Sequence, residues 1–193
     1  SQCEADPDVD DDGHDAIACG GDDCDDNDAT VPRVVDGDVT ITEASELSAL
    51  VGVGEITGNL DIHEVVGLTG LSELECLSGV GGEFLLYLNN DLVTLSALSN
   101  LRRVGGRFAI QRNALLDSLE GLEQLETAGG ISIHSCDLLS DVDELSGVVS
   151  VGGLGFLGND RLTNIEGLSN LREINGGLSI VNTPSLINID GLS

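Results

Sequence analysis

A short alternating segment that recurs every 21 to 24 residues most limits how this chain can fold. Successive segments are 21, 24, 24, 23, 23 and 24 residues apart, and we call each repeat a rung. In a typical rung, such as residues 95–113, an apolar ladder with a period of three and a Gly-Gly pair precede the segment. One rung cannot bury its apolar edge alone, so the repeat predicts a stack of rungs, a solenoid. The segments begin at Val39, Leu60, Phe84, Phe108, Ile131, Leu154 and Leu178.

A second column of the repeat is polar. Three residues past each segment stand Val65, Asn89, Asn113, Cys136, Asn159 and Thr183. We expect these positions to be buried and the Asn side chains to bond the backbone of neighbouring rungs, because tight turns leave backbone groups without partners. Cys136 is then a buried filler and not a nucleophile. Cys76 occupies a loop position, where we expect it to be more exposed.

The repeated form reads LSNLRRVGGRFAIQRNALL at residues 98–116 and LSNLREINGGLSIVNTPSL at residues 168–186. It resembles the leucine-rich class and, more closely, the receptor L domain, over residues 37–193. The resemblance implies a mainly β fold, a right-handed parallel β-solenoid with about seven rungs of 21–24 residues. Receptors of that family carry cysteine-rich modules beside the solenoid, and none is visible in this sequence, so the resemblance does not extend to receptor signalling.

One exposed column of the predicted stack is chemically mixed. It contains His63, Tyr87, Gln111 and His134, with Arg112 beside it, and solenoids commonly bind through such stacked faces. We therefore predict a ligand face at these residues; the alternative is an ordinary surface. Two cross-strand ion pairs are also predicted from matching positions on adjacent rungs, Arg102 with Glu126 and Glu83 with Arg107.

The first 36 residues differ in composition from the rest and form a separate segment. Residues 1–38 hold fourteen acidic residues and one Arg, too polar to bury a core. The acids from Asp8 to Gly13 follow the first half of an EF-hand loop, with carboxylates at positions 1, 3 and 5 and Gly at position 6. Position 12 is Cys19, which is not a bidentate ligand. A second acidic cluster at 22–28 could complete the first shell or hold another ion.

Residues 8–32 resemble the aspartate-rich metal-binding motif of secreted and surface myxobacterial proteins, and also the calcium repeats of thrombospondin type 3. We expect Ca²⁺ in preference to Mg²⁺, which favours fewer carboxylates and retained waters. A Cys19–Cys24 disulfide would pin the Gly20-Gly21 turn between the clusters. The alternative is an acidic solvated tail. The candidate metal ligands are Asp8, Asp10, Asp12, His14 (through its backbone carbonyl), Asp15, Asp23, Asp25, Asn27 and Asp28.

The net charge and the absence of certain sequence features exclude several classes of function. The net charge of −28 argues against nucleic acid and anionic membranes, and no apolar run is long enough to span a bilayer. The sequence has no signal peptide and no initiator Met, so we expect a processed piece of an exported bacterial protein, with any anchor outside it. Lys is absent, and rungs of even length leave no long loops for a catalytic cleft.

We therefore predict an extracellular or cell-surface recognition or adhesion module. It is not an enzyme, it is stabilised by calcium, and it binds a protein or glycan on its exposed sheet face. The alternatives are a β-helix carbohydrate-active enzyme of the polysaccharide lyase type and a purely structural spacer.

Overall fold

A computed structural model describes residues 33–192, which are mainly β with a few short 3₁₀ helices. The strands are β1 (Arg33–Val35), β2 (Val39–Ile41), β3 (Val53–Ile56), β4 (Leu60–His63), β5 (Gly79–Val80), β6 (Phe84–Tyr87), β7 (Arg103–Gln111), β8 (Thr127–His134), β9 (Ser150–Val151), β10 (Leu154–Leu157), β11 (Glu173–Ile174) and β12 (Leu178–Val181). The 3₁₀ helices in this range are Ala44–Leu50, Ser72–Leu74, Ser96–Leu98, Asp143–Gly147, Glu166–Leu168 and Asp190–Leu192.

All the strands pair in parallel, and they form two ladders. The first ladder runs β2-β4-β6-β7-β8-β10-β12 and contains every segment that the repeat predicts as a strand. The second runs β1-β3-β5-β7-β8-β9-β11 and was not predicted. The long strands β7 and β8 belong to both ladders and join them into one sheet. The prediction of a mainly β, parallel fold is confirmed.

The first ladder buries alternate residues, as a period of two requires. In β4, Leu60 and Ile62 are fully buried, whereas Asp61 and His63 are partly exposed. The buried positions of successive strands align in register, so apolar side chains stack on apolar side chains. Phe84 and Phe108, for example, stack with their ring centroids 5.0 Å apart. The apolar ladder that precedes each segment joins the same core, which runs from Ile41 to Leu168.

The predicted Asn column is present, and it links the rungs. Asn113 Oδ1 accepts a hydrogen bond from the Asn89 backbone N–H at 3.0 Å, and Asn113 Nδ2 donates to the Leu86 carbonyl at 3.0 Å. Asn89 and Asn159 bond the preceding rung in the same way. All three Asn side chains are fully buried. Each amide therefore satisfies two backbone groups that the turn after the strand would otherwise leave buried without partners.

The first glycine of the Gly-Gly pair is required by the spacing between rungs. A Cβ added to Gly152 would lie against the carbonyl of Gly129, far inside van der Waals distance, and Gly105 meets the carbonyl of Gly81 in the same way. The second glycine differs between rungs: a Cβ at Gly153 would make ordinary contact at 3.5 Å, whereas a Cβ at Gly106 would lie 2.7 Å from the backbone nitrogen of Glu83. At this corner the rungs pack backbone against backbone, which no residue with a side chain permits.

The residue just before the Asn column has a left-handed backbone, although it is rarely Gly. The φ angles lie between 52° and 57° at the non-glycine positions, and Gly158 has φ 64°. This conformation costs an L-residue about 1–2 kcal/mol, and the sequence shows no sign of it. It turns the chain sharply after the strand, so that the next side chain points inward. The non-glycine positions are Glu64, Leu88, Arg112, Ser135 and Asn182.

The two cysteines of the described range are both buried. Cys136 lies in the Asn column with no exposed surface, as predicted, and it is a free thiol. The prediction that Cys76 is more exposed is wrong, because only 5% of it is accessible. It is disulfide-bonded, and it follows Leu74 and precedes Leu77 in the core, so its loop position does not carry it to the surface.

We predict that Asn113→Ala lowers the free energy of unfolding by roughly 2–4 kcal/mol, because it leaves the Asn89 N–H and the Leu86 carbonyl buried without partners. Urea unfolding followed by circular dichroism measures the loss. Asn100→Ala is the matched control in the same rung: its Nδ2 donates to the Glu75 carbonyl at 2.7 Å at the exposed surface, so the loss should stay below about 1 kcal/mol. Equal losses in the two variants would contradict the role given to the buried column.

Candidate ligand-binding face

The outward side chains of β4, β6, β7, β8, β10 and β12 form a continuous surface, which we call the sheet face. Parallel register places His63 beside Tyr87, Tyr87 beside Gln111, and Gln111 beside His134. Leu157 and Val181 continue the same column. The four residues that the sequence predicted as a stripe are thus neighbours on adjacent strands. All four are partly exposed.

His63 is oriented by Asp61, which the sequence did not single out. The two residues are two apart in β4, so both point outward, and His63 Nδ1 lies 2.9 Å from Asp61 Oδ1. Both side chains are about one-third exposed, at 31% and 36%. The pairing holds the imidazole with its Nε2 edge available. In the sequence, only the two-residue spacing of Asp61 and His63 within a predicted strand indicates this contact.

Carboxylates on the sheet face are few, and each has a partner. Across β4–β12 they are Asp61, paired with His63, and Glu83, which accepts from Arg107 Nη2 at 2.7 Å. The prediction of the Glu83–Arg107 pair is confirmed. So is that of Arg102 with Glu126, 3.6 Å apart in the second ladder. Arg103 in that ladder reaches over Gly79 to Glu55, at 2.7 Å.

The side of the molecule formed by the 3₁₀ helices has the opposite character. The carboxylates of this side from Glu73 to Glu166 form no ion pair with arginine. Burial first, and then the charges of Asp141 and Glu166, raises the pKa of Asp143. Glu144 accepts from the Ser118 hydroxyl at 2.9 Å through Oε1. The acidic residues of this side include Glu73, Glu75, Glu120, Glu123, Asp141, Asp143, Glu144 and Glu166.

Three side chains on the sheet face keep their hydrogen-bonding groups free. Tyr87, Gln111 and His134 make no side-chain hydrogen bond to any residue between 33 and 192. They occupy three consecutive strands in register. A phenol, an amide and an imidazole together offer both donors and acceptors, so this part of the face can bond a polar partner without first breaking an internal contact.

Arg112 lies at the edge of the face and not on it. It has the left-handed backbone of the turn, with φ 55°, and its backbone N–H donates to the His134 carbonyl at 2.8 Å. The side chain is exposed and forms no ion pair within the described range. It is therefore a free cation at the corner next to Gln111.

The predicted metal ligands, from Asp8 to Asp28, and the predicted Cys19–Cys24 disulfide lie outside the described residues. Within 33–192, no three His, Cys, Asp or Glu side chains are grouped as a metal site. In the same range no helix combines the length and apolar character needed to cross a bilayer.

Comparison with known proteins adds no assignment, because the chain matches no family model and no curated protein.

The buried thiol of Cys136 predicts a pH dependence of stability. Burial raises the pKa of Cys136 to about 11 from an ordinary value of 9.0, against a smaller opposing effect of the Asn113 backbone N–H. The folded protein therefore holds this proton more tightly than the unfolded chain does. The resulting stability is complete below about pH 9 and is lost as the pH rises towards 11.

Urea unfolding at pH 7.5 and pH 10.5 measures this effect, with Cys136→Ser as the variant that cannot titrate there. We expect the parent protein to lose about 2 kcal/mol more than the variant over this interval. Comparing the two proteins cancels the other groups that ionise at high pH. Equal losses would show that the thiol ionises as readily in the folded protein as in the unfolded chain, which would contradict the effect of its burial.

Proposed function

We propose that this protein is a non-enzymatic recognition or adhesion module of the cell surface or extracellular space, and that it binds its ligand through the sheet face. One observation carries the proposal. In a chain of net charge −28, the two carboxylates of the sheet face, Asp61 and Glu83, each have a side-chain partner. The face also presents Tyr87, Gln111 and His134 with free hydrogen-bonding groups. An ordinary surface of so acidic a protein is expected to resemble the 3₁₀ side.

We also infer that the rungs form a right-handed β-solenoid of about seven rungs, similar to a receptor L domain. Support comes from in-register parallel pairing between residues 23 or 24 apart, which recurs from β4 to β12. A stack of this kind presents a flat array of side chains, one from each rung in each column. Such arrays are the usual binding surfaces of repeat proteins.

The alternative of a polysaccharide-lyase type of enzyme has less support. That chemistry requires an acid or base directed at a substrate in a cleft. On the sheet face, Asp61 and Glu83 are already engaged by His63 and Arg107. A spacer without a ligand would have no need for three adjacent side chains with unused hydrogen-bonding groups.

We predict that the protein, coated on a surface, retains bacterial cells from a panel of Gram-negative and Gram-positive species, and that Tyr87→Ala/Gln111→Ala reduces retention about tenfold or more. Removing the aromatic ring and its neighbouring amide deletes the centre of the face while leaving the buried column unchanged. Counting adherent cells under flow measures the effect.

The matched control is Leu115→Ser, which changes an exposed apolar residue in the turn after β7, outside the strands of the face, and should retain cells like the parent; Leu115 is 46% accessible. Circular dichroism confirms that each variant is folded. Absence of retention across the panel, or equal retention by the double variant and the parent, would refute the proposal.

A second part of the proposal concerns calcium. We propose that residues 1–36 bind Ca²⁺ through the Asp8–Asp12 cluster and the acids at 22–28, with the ion stabilising this segment. Support comes from the alternating carboxylates followed by Gly13, since a hard cation with six to eight oxygen ligands suits such a turn. His14 contributes its backbone carbonyl in this arrangement.

We predict that isothermal titration calorimetry detects Ca²⁺ binding that Mg²⁺ does not reproduce, and that Asp12→Ala weakens it about tenfold or more. Asp141→Ala controls for general acidity, because it removes one carboxylate from the 3₁₀ side. The unfolding midpoint of the β stack should be the same in both variants. Equal Ca²⁺ affinity in the two variants would assign the binding to nonspecific charge.

A further inference from the structure

The geometry of the sheet face points to the class of its ligand: we propose that it binds an uncharged polysaccharide chain lying along the direction in which the rungs stack. This inference rests on the proposed function and deepens it. The binding groups are Tyr87, Gln111 and His134, with the oriented His63 at one end of the row.

The first argument concerns the free groups. Tyr87 OH, the Gln111 amide and the His134 ring are neutral or weakly basic, and none is used by another residue between 33 and 192. A sugar presents hydroxyl groups that both donate and accept, and these match phenol, amide and imidazole groups. The Tyr87 ring adds an apolar surface for the C–H side of a sugar ring.

The second argument concerns charge. A cationic ligand would need free carboxylates, but on this face Asp61 is hydrogen-bonded to His63 and Glu83 is ion-paired with Arg107. An anionic polysaccharide would meet the field of a chain with net charge −28, and the free cation beside this row, Arg112, lies at the edge. Long-range repulsion therefore disfavours anions, and the pairing of Asp61 and Glu83 leaves a cation no free carboxylate in the row itself, since Glu64 lies at the edge like Arg112. An uncharged ligand meets neither obstacle.

The third argument concerns shape. In-register pairing supplies one side chain per strand at a spacing of about 4.8 Å, so a linear polymer along the stack meets a new side chain at each step. The column of outward side chains next to this row consists of small residues along part of its length. Ala109, Ser132 and Gly155 lie in register there, and Leu85 is the next residue of the same column. A shallow depression of about 240 Å³ lies next to it, lined by Asn59, Leu60, Asp61, Glu83 and Leu85. The face is an open strip, which suits an extended chain better than a compact small molecule.

A protein partner is the competing ligand. Protein interfaces gain most of their affinity from apolar or aromatic anchors buried in a well-packed centre. On this face Tyr87 is flanked in its column by His63 and Gln111, and the apolar residues Leu157 and Val181 lie at the far end of that column. Leu85 is the apolar neighbour of Tyr87 within β6, and it is only partly exposed. The row through Tyr87 is therefore mainly polar, which favours a hydroxyl-rich ligand.

Affinity electrophoresis of the full chain tests the inference, with native gels that contain dextran, glucomannan or hydroxyethyl cellulose, and with polygalacturonate as the anionic comparison. We expect at least one neutral polymer to retard the protein, and Tyr87→Ala and Gln111→Ala each to raise the apparent dissociation constant about tenfold. Tyr87→Phe keeps the ring and should lose less. Leu115→Ser should migrate like the parent in every gel.

Retardation by no neutral polymer, equal retardation by polygalacturonate, or parent-like behaviour of Tyr87→Ala would each overturn the inference. Treating the cells of the adhesion assay separates this failure from failure of the proposed function. Loss of retention after periodate oxidation, but not after protease, supports a glycan. Loss after protease alone identifies a protein ligand, so that the recognition function stands and the polysaccharide inference falls.

Discussion

Hydrogen bonds from buried Asn side chains to the backbone of the preceding rung are the contacts on which the arrangement of the face depends. Leucines exclude water from the core but do not by themselves specify how far one rung slides along the next. The Asn89 and Asn113 amides do, because each bonds two backbone groups of the rung before it. These bonds fix the register between adjacent strands in the interior. The same register places Tyr87, Gln111 and His134 side by side on the surface.

The column also explains how a cysteine replaces asparagine at one rung. Cys136 N–H donates to Asn159 Oδ1 at 3.0 Å, and Cys136 Sγ lies 3.8 Å from the Ile110 carbonyl in the preceding rung. That carbonyl is equivalent to the Leu86 carbonyl, the acceptor that Asn113 uses. A thiol is a weaker donor than an amide, so this rung keeps the geometry with less hydrogen-bond energy. The same burial suppresses ionisation of the thiol, which makes Cys136 a structural residue.

The two sides of the stack differ in the charge that they carry. Carboxylates accumulate on the 3₁₀ side, where they keep the molecule acidic and soluble. On the sheet face Asp61 is hydrogen-bonded to His63 and Glu83 is ion-paired with Arg107, and neutral polar groups remain available. A strongly charged protein can therefore bind an uncharged ligand on this surface without removing many charged groups from water.

Much of this structure follows from periodicity. A repeat forces equivalent residues into equivalent places, so the strands of the first ladder, the Asn column, the burial of Cys136, the Glu83–Arg107 pair and the row from His63 to His134 could all be predicted. Two-residue strands such as β5 and β9 carry no alternation, and the left-handed residues include Glu, Leu and Arg, which have no preference for that conformation. The Asp61–His63 contact follows from strand alternation within one rung. The burial of Cys76 and the pairing of Arg103 with Glu55 were decided by tertiary structure alone, because each depends on which side chains the stacking of rungs brings within a few ångströms.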